Sequence, residues 1–226
     1  MTTQELYKRF LLMVNKNDTN EGVNITPGHF VLLFNAEMLS WLAEELKKDE
    51  DNIDVNLIEL LYLSDFPVLS SGVADKKLKF IEFSLPVDFF QVYGGYSFAD
   101  RGECKDNIIW LWERKPGDTI AVRSDEGSKP SFDYQEAPFT TGADKMKVYF
   151  DDFVIKKTYI NYYRTPNNID IEGYIHFNGD PSTNIDTELD DFNALQILAR
   201  VATELNRQAV DVEGLQLAKD RLTKEF

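Results

Sequence analysis

The chain has 226 residues, enough to bury a sizeable core as one domain or two small ones. Its 39 acidic against 24 basic residues leave a formal charge of −15, which argues against a surface that grips nucleic acid through its phosphates. The 43% hydrophobic and 13% aromatic content is equally unlike a charged disordered chain. A single cysteine, Cys104, excludes an intrachain disulfide framework, and two histidines far apart, His29 and His176, make a zinc site improbable on composition alone.

In chain order, Leu6, Phe10 and Met13 share a face at helical spacing, and the polar stretch 15–24 reads as a loop. Thr26 then caps a second helix, with Pro27 at its first position and Ile25 placed to staple against Phe30. Its stripe is Phe30, Leu33, Phe34, Met38, Trp41, Leu42 and Leu46. After the acidic tract 49–54, Val55, Ile58, Leu61 and Tyr62 predict a short amphipathic helix ending before Pro67.

From Lys76 the texture changes to short aromatic and β-branched runs broken by Gly, Pro and Asp, the pattern of antiparallel strands. The predicted strands are Leu78–Leu85, Ile108–Glu113, Thr119–Val122, Lys145–Phe150 and Val154–Tyr163, with Asp151-Asp152 turning the last two into a hairpin. No βαβ rhythm is present, which sets aside doubly wound dinucleotide folds. A long acidic loop follows Pro166. A last helix is predicted from about Thr187, with Asp190 in its first turn and an apolar seam of Phe192, Leu195, Ala199, Ala202 and Leu205.

These elements predict an α+β fold: helices from both ends of the chain pack together around an inserted antiparallel β region at about residues 76–164. The expected parts are a helical segment over 1–70, a β-rich region over 71–166, an acidic loop over 167–186, and a C-terminal helical segment over 187–226 that joins the N-terminal helices. The first ten residues carry no long apolar run behind a basic flank, and no stretch reaches the roughly 20 apolar residues of a membrane span, so a soluble, unexported protein is expected.

Chemistry is sparse in this pattern. There is no G-x-S-x-G, no phosphate-binding G-x-x-x-x-G-K-[ST] and no G-x-G-x-x-G. His176 lies among apolar residues in Tyr174–Asn178, where a packed histidine is the commoner outcome, and a cationic His29 would be disfavoured in the first turn of its helix. Cys104 has Lys105 and Arg101 nearby, but Glu103 and Asp106 offset them. Between Arg164 and Arg200 stand Asp170, Glu172, Asp180, Asp186, Glu188, Asp190 and Asp191 without a single Lys or Arg. Hard oxygen ligands of this kind suit calcium or magnesium, yet the spacing fits no calcium loop and a solvated acidic face accounts for it better. No catalytic, cofactor-binding or metal-binding residue is therefore assigned, and no enzyme activity is expected. Trp110 and Trp112 flank Leu111 on one strand face, able to stack on sugars or, more commonly, to fill a core or a subunit interface; Tyr159, Tyr162 and Tyr163 pose the same choice.

The run from Lys145 to Asn206 contains MKVYFDDFVIKKTYINYYRTPNNIDIEGY, then DPSTNIDTELDD, then FNALQILARVATELNR. It resembles structural proteins of tailed bacteriophages, and more narrowly the ring or head-to-tail connector proteins of crAss-like phages that infect Bacteroidetes. FNAEMLSWLAEELK, LPVDFFQVYGGYS and KPSFDYQEAPFTTGADKMKVY are similar in style to the same group, so the resemblance covers about residues 5–207. It implies a non-enzymatic virion protein, made in the host cytoplasm and assembled as a homo-oligomeric ring, a dodecamer, below the portal protein. Such a ring links portal to tail and lines the channel through which DNA passes during genome ejection, without specific DNA binding and without membrane contact. On that reading Trp110, Trp112, Tyr162 and Tyr163 are the candidate assembly or core anchors. Glu44, Glu45, Asp49, Asp186, Asp190 and Asp191 are the candidate channel-facing acids, since carboxylates repel phosphate at short range. The competing reading is a tail-associated module that recognises host-surface carbohydrate through the aromatic strand face, and a carboxylate metal hydrolase ranks below both.

Overall fold

The computed structural model describes residues 1–14, 25–48, 55–75, 79–115, 117 and 129–205. The expected strand Thr119–Val122, Asp49, the loop 15–24 and the tail beyond 205 lie outside the described residues. The fold is α+β, and the chain divides into two compact units, one formed by residues 1–57 and 166–226 and the other by residues 58–165.

The first unit takes its helices from both ends of the chain. Helix α1 (Thr3–Val14) buries Leu6 and Phe10 completely. Helix α2 (Pro27–Glu45) starts as its sequence dictates: the Thr26 hydroxyl accepts from the His29 amide at 3.3 Å, and Pro27 occupies the first turn, where its missing N–H costs nothing. Ile25, Phe30, Phe34, Met38, Trp41, Leu42 and Leu46 are all buried, and the rings of Tyr7 and Phe10 pack against Phe30 at 5.4 and 5.0 Å between centroids.

Helix α4, described over 191–205, begins at Asp190 and not near Thr187. The Asp190 carboxylate accepts from the Asn193 amide at 2.8 Å, so Asp190 is the cap itself rather than a first-turn residue. Its buried face is Ala194, Ile197, Leu198, Val201 and Ala202, whereas Phe192 and Ala199 are exposed. Two helical-period faces coexist in this sequence, and the one bearing Ile197, Leu198 and Val201 buries more apolar surface than the predicted seam. Arg200 ties α4 to α2 by pairing with Glu44 at 2.7 Å and Glu37 at 3.7 Å.

Helix α3 (Val55–Leu61) ends earlier than its periodicity suggests, and the chain passes directly into the second unit's sheet. Tyr62, predicted to be helical, opens strand β1 (Tyr62–Val68). The β region thus begins well before residue 76, with β2 (Ser70–Asp75) following after a single residue. The remaining strands are β3 (Phe80–Ser84), β4 (Phe89–Arg101), β5 (Cys104–Glu113), β6 (Glu136–Thr141), β7 (Lys145–Tyr149) and β8 (Val154–Arg164).

The sheet order is β1-β8-β4-β5-β6-β7-β3-β2, and all neighbours are antiparallel except β5 and β6, which run parallel. Strands β7 and β8 therefore do not form the expected hairpin. Residues 150–153 instead carry the chain from one part of the sheet to another, Phe153 is buried in the core, and Asp151 and Asp152 pair with Lys79 and Arg101.

Strands β1 and β2 stand at opposite ends of the order, yet only Leu69 separates them in sequence. Two ends one residue apart bring the edges of the sheet together at Leu69, so the sheet curls toward a barrel. One core fills it: Val68, Phe83, Val92, Ala99, Ile109, Leu111, Phe139, Val148, Ile155, Ile160 and Tyr162 come from seven different strands and belong to a single buried cluster.

Candidate interaction surface on the sheet

Strands β8, β4 and β5 are adjacent, and alternation divides their side chains between two faces. Ser97, Ala99, Ile109, Leu111, Thr158 and Ile160 are buried. The Ser97 and Thr158 hydroxyls satisfy each other inside the barrel at 2.8 Å. Tyr96, Phe98, Ile108, Trp110 and Tyr159 take the other face. Register sets Tyr96 between Trp110 and Tyr159, and Phe98 opposite both Ile108 and Lys157. The Tyr96 and Tyr159 rings stack at 5.3 Å, and Tyr96–Trp110 and Phe98–Tyr159 meet edge-on at 6.0 Å. Trp110 is 57% exposed at the margin of this group.

Cross-strand aromatic pairs of this kind stiffen a sheet. An exposed indole beside three rings locked by their neighbours is also a surface that loses little entropy on contact, the feature of an interface anchor. Burial between its neighbours, and then a hydrogen bond to Asp65, hold the Tyr96 phenol above its usual range, so it stays a neutral donor. Trp112 follows on the same face of β5, half-buried. The Arg114 guanidinium lies 4.2 Å from its ring centre, and its buried indole N–H has no hydrogen-bond partner among the described residues.

Tyr162 points the other way, into the core. Its hydroxyl donates to Asp88 at 3.0 Å, and burial followed by that bond pushes its phenol up to about 12. Tyr163 is also buried, and its ring packs with Tyr62 and Tyr93 at 5.5 and 6.2 Å. The four sequence-chosen anchors thus separate: the two tryptophans share an outward face, and Tyr162 is a core residue. Tyr96 and Phe98 were not selected from the sequence. The signal was their two-residue spacing after Gly94-Gly95, obscured because the glycine pair reads as a break.

The candidate acids are engaged within the first unit. Glu44 pairs with Arg200; Glu45 is buried and pairs with Lys48 at 2.5 Å; Asp186 accepts from the Thr3 amide at 2.8 Å; Asp191 accepts from the Met1 amine at 2.7 Å. Asp190 caps α4, as described above. Asp170 is the most highly bonded of the loop acids. Although buried, its carboxylate accepts from the Tyr174 hydroxyl at 2.6 Å, His176 Nε2 at 3.0 Å, and the Thr183 and Ile171 amides at 2.8 and 2.9 Å. These donors outweigh desolvation and hold its carboxyl below the usual range. His176 is thereby bound to a structural carboxylate. No cluster of three or more potential metal ligands occurs among the described residues. Cys104 is exposed at the start of β5, opposite Arg101. Among the described residues no helix is long and apolar enough to cross a membrane.

No protein-family model matches the chain, and no curated protein matches it either.

Proposed function

We propose that this chain is a non-enzymatic virion structural protein that assembles as a homo-oligomeric ring in a phage head-to-tail connector, linking portal to tail around the genome exit channel. The observation that carries the assembly part is the aromatic group Tyr96, Phe98, Trp110 and Tyr159 on the outward face of the curled sheet, with its indole open to contact. The connector part rests on the resemblance of the sequence to ring proteins of crAss-like phages.

Charge distribution supports a repulsive channel lining. Residues 58–165 hold 17 acidic and 14 basic side chains, whereas the unit made of 1–57 and 166–226 holds 22 acidic and 10 basic, so most of the excess negative charge belongs to the helical unit. That unit is the one suited to face passing DNA.

Negative-stain electron microscopy of the purified chain over a concentration series, alone and with its portal protein, tests the reading. Closed rings with a central channel are expected. Particles that remain single copies in both samples, together with saturable binding of one sugar on a glycan panel, would replace it with the carbohydrate-binding reading, which the same exposed Trp110 favours.

A further inference from the structure

The residues between Tyr174 and Ser182 form a small, stiff hairpin. The Ser182 amide donates to the Tyr174 carbonyl at 3.0 Å, the His176 amide to the Asp180 carbonyl at 2.9 Å, and the Gly179 amide to the His176 carbonyl at 2.9 Å. Gly179 makes the turn with φ of +90°, a conformation that other residues rarely adopt. Asp170 fastens the base through Tyr174, His176 and Thr183, and the Tyr174 ring packs so closely over Gly28 that a methyl group there would sit 3.0 Å from it. On this mount Phe177 is fully exposed and Ile175 is 73% exposed. A fixed hairpin with an apolar tip contrasts with the rest of its loop, whose side chains are mostly polar.

The barrel carries a matching hollow. At the corner where β1 gives way to β2, a half-open pocket of about 300 Å³ is lined by Val68, Leu69, Phe83 and Tyr159, with Lys156 and Lys157 among its walls. An enclosed cavity of roughly half that volume accommodates a benzene ring, so the pocket has volume enough for a phenyl group. Lys156 pairs with Asp100 at 3.4 Å, while Lys157 has no ion-pair partner among the described residues. On the hairpin Asp180 is exposed three residues beyond Phe177, and among the described residues its carboxylate accepts only from the Asn178 amide of its own turn, at 2.7 Å.

We infer that the hairpin of one copy seats Phe177 in the corner cavity of a second copy, with Asp180 meeting Lys157. Knob and hollow belong to different units of the same chain; when each copy offers its knob to one neighbour and its hollow to the other, the contact is heterologous and propagates around a ring. The pre-formed hairpin spares the ordering cost that a flexible loop would pay on binding. This inference rests on the ring reading and names the contact that closes it.

Sedimentation velocity of the full chain, wild type beside Phe177→Ala, Lys157→Glu and Lys157→Glu with Asp180→Lys, tests it. Both single variants change exposed side chains, so thermal unfolding should be unmoved while self-association weakens by about tenfold or more for Phe177→Ala; the charge-swapped pair should recover what Lys157→Glu loses. In a Cys104→Ser background, a mixture of Phe177→Cys and Leu69→Cys chains should form the mixed disulfide in preference to either like pair on mild oxidation. Wild-type assembly that Phe177→Ala and Lys157→Glu leave intact, with no preferred mixed disulfide, would overturn the contact and leave the ring reading standing. A wild-type chain that stays monomeric at every concentration would overturn both.

Discussion

Asp170 illustrates what one residue does here and why the sequence concealed it. It stands in an irregular loop, and its donors come from positions one, four, six and thirteen residues later, a spacing that belongs to neither helix nor strand. Read as a sequence, it is one acid among seven; in the structure it organises the loop. Asp170→Asn presents an amide N–H₂ to a site built of donors, so it should cost about 2–4 kcal/mol of stability, measured by urea unfolding at neutral pH. The pH dependence follows in sign. Because the folded state lowers the Asp170 pKa, its contribution is fully present above the ordinary carboxylate value of about 3.9 and is lost as pH falls through the lower folded value. The wild type should therefore lose stability in acid more steeply than Asp170→Asn, and parallel acid limbs would contradict that assignment. Trp110 is the opposite case. Strand alternation made its pairing with Trp112 on one face legible, but not its exposure, because burial depends on what neighbouring strands leave uncovered.

At the level of elements, α2 was the most legible because its cap, first-turn proline and apolar stripe all agree, and Thr26→Ala should cost about 1 kcal/mol of stability in the same unfolding assay. Strands β1, β4 and β6 were hidden for a common reason: each holds residues that ordinarily mark breaks, namely Asp65 and Pro67, Gly94-Gly95, and Pro138. In β4 the glycines serve different purposes. A Cβ on Gly95 would lie 2.5 Å from the Tyr159 carbonyl oxygen, whereas Gly94 has open space. Gly95→Ala should lower stability by about 1–3 kcal/mol and disturb the β4–β8 pairing, while Gly94→Ala should leave it nearly unchanged. Equal effects of the two substitutions on the thermal midpoint would show that the close approach does not matter. In α4 the sequence offered two apolar faces, and the choice between them fell to the partners available to each, which no local pattern encodes.

For the whole molecule, the coarse plan was readable: helices from both ends of the chain meet in one unit, and a β region is inserted between them. The curling of the sheet was not. It depends on β1 and β2, consecutive in sequence, pairing with β8 and β3 respectively, a non-local choice that closes the order at Leu69. That curling leaves an aromatic face on one flank and a half-open pocket at the corner, while the excess acid collects in the other unit. An assembly role makes use of all three features. The solution mass of the full chain, measured by light scattering across a concentration series beside Trp110→Ala, tests that role most directly. The expected result is a wild-type mass several times the 26.0 kDa of one chain, and a folded variant, its thermal midpoint lowered only slightly by loss of the Tyr96 contact, that reaches the larger mass only at higher concentration. A wild-type mass of 26.0 kDa at every concentration, or superimposable curves for the two proteins, would contradict it.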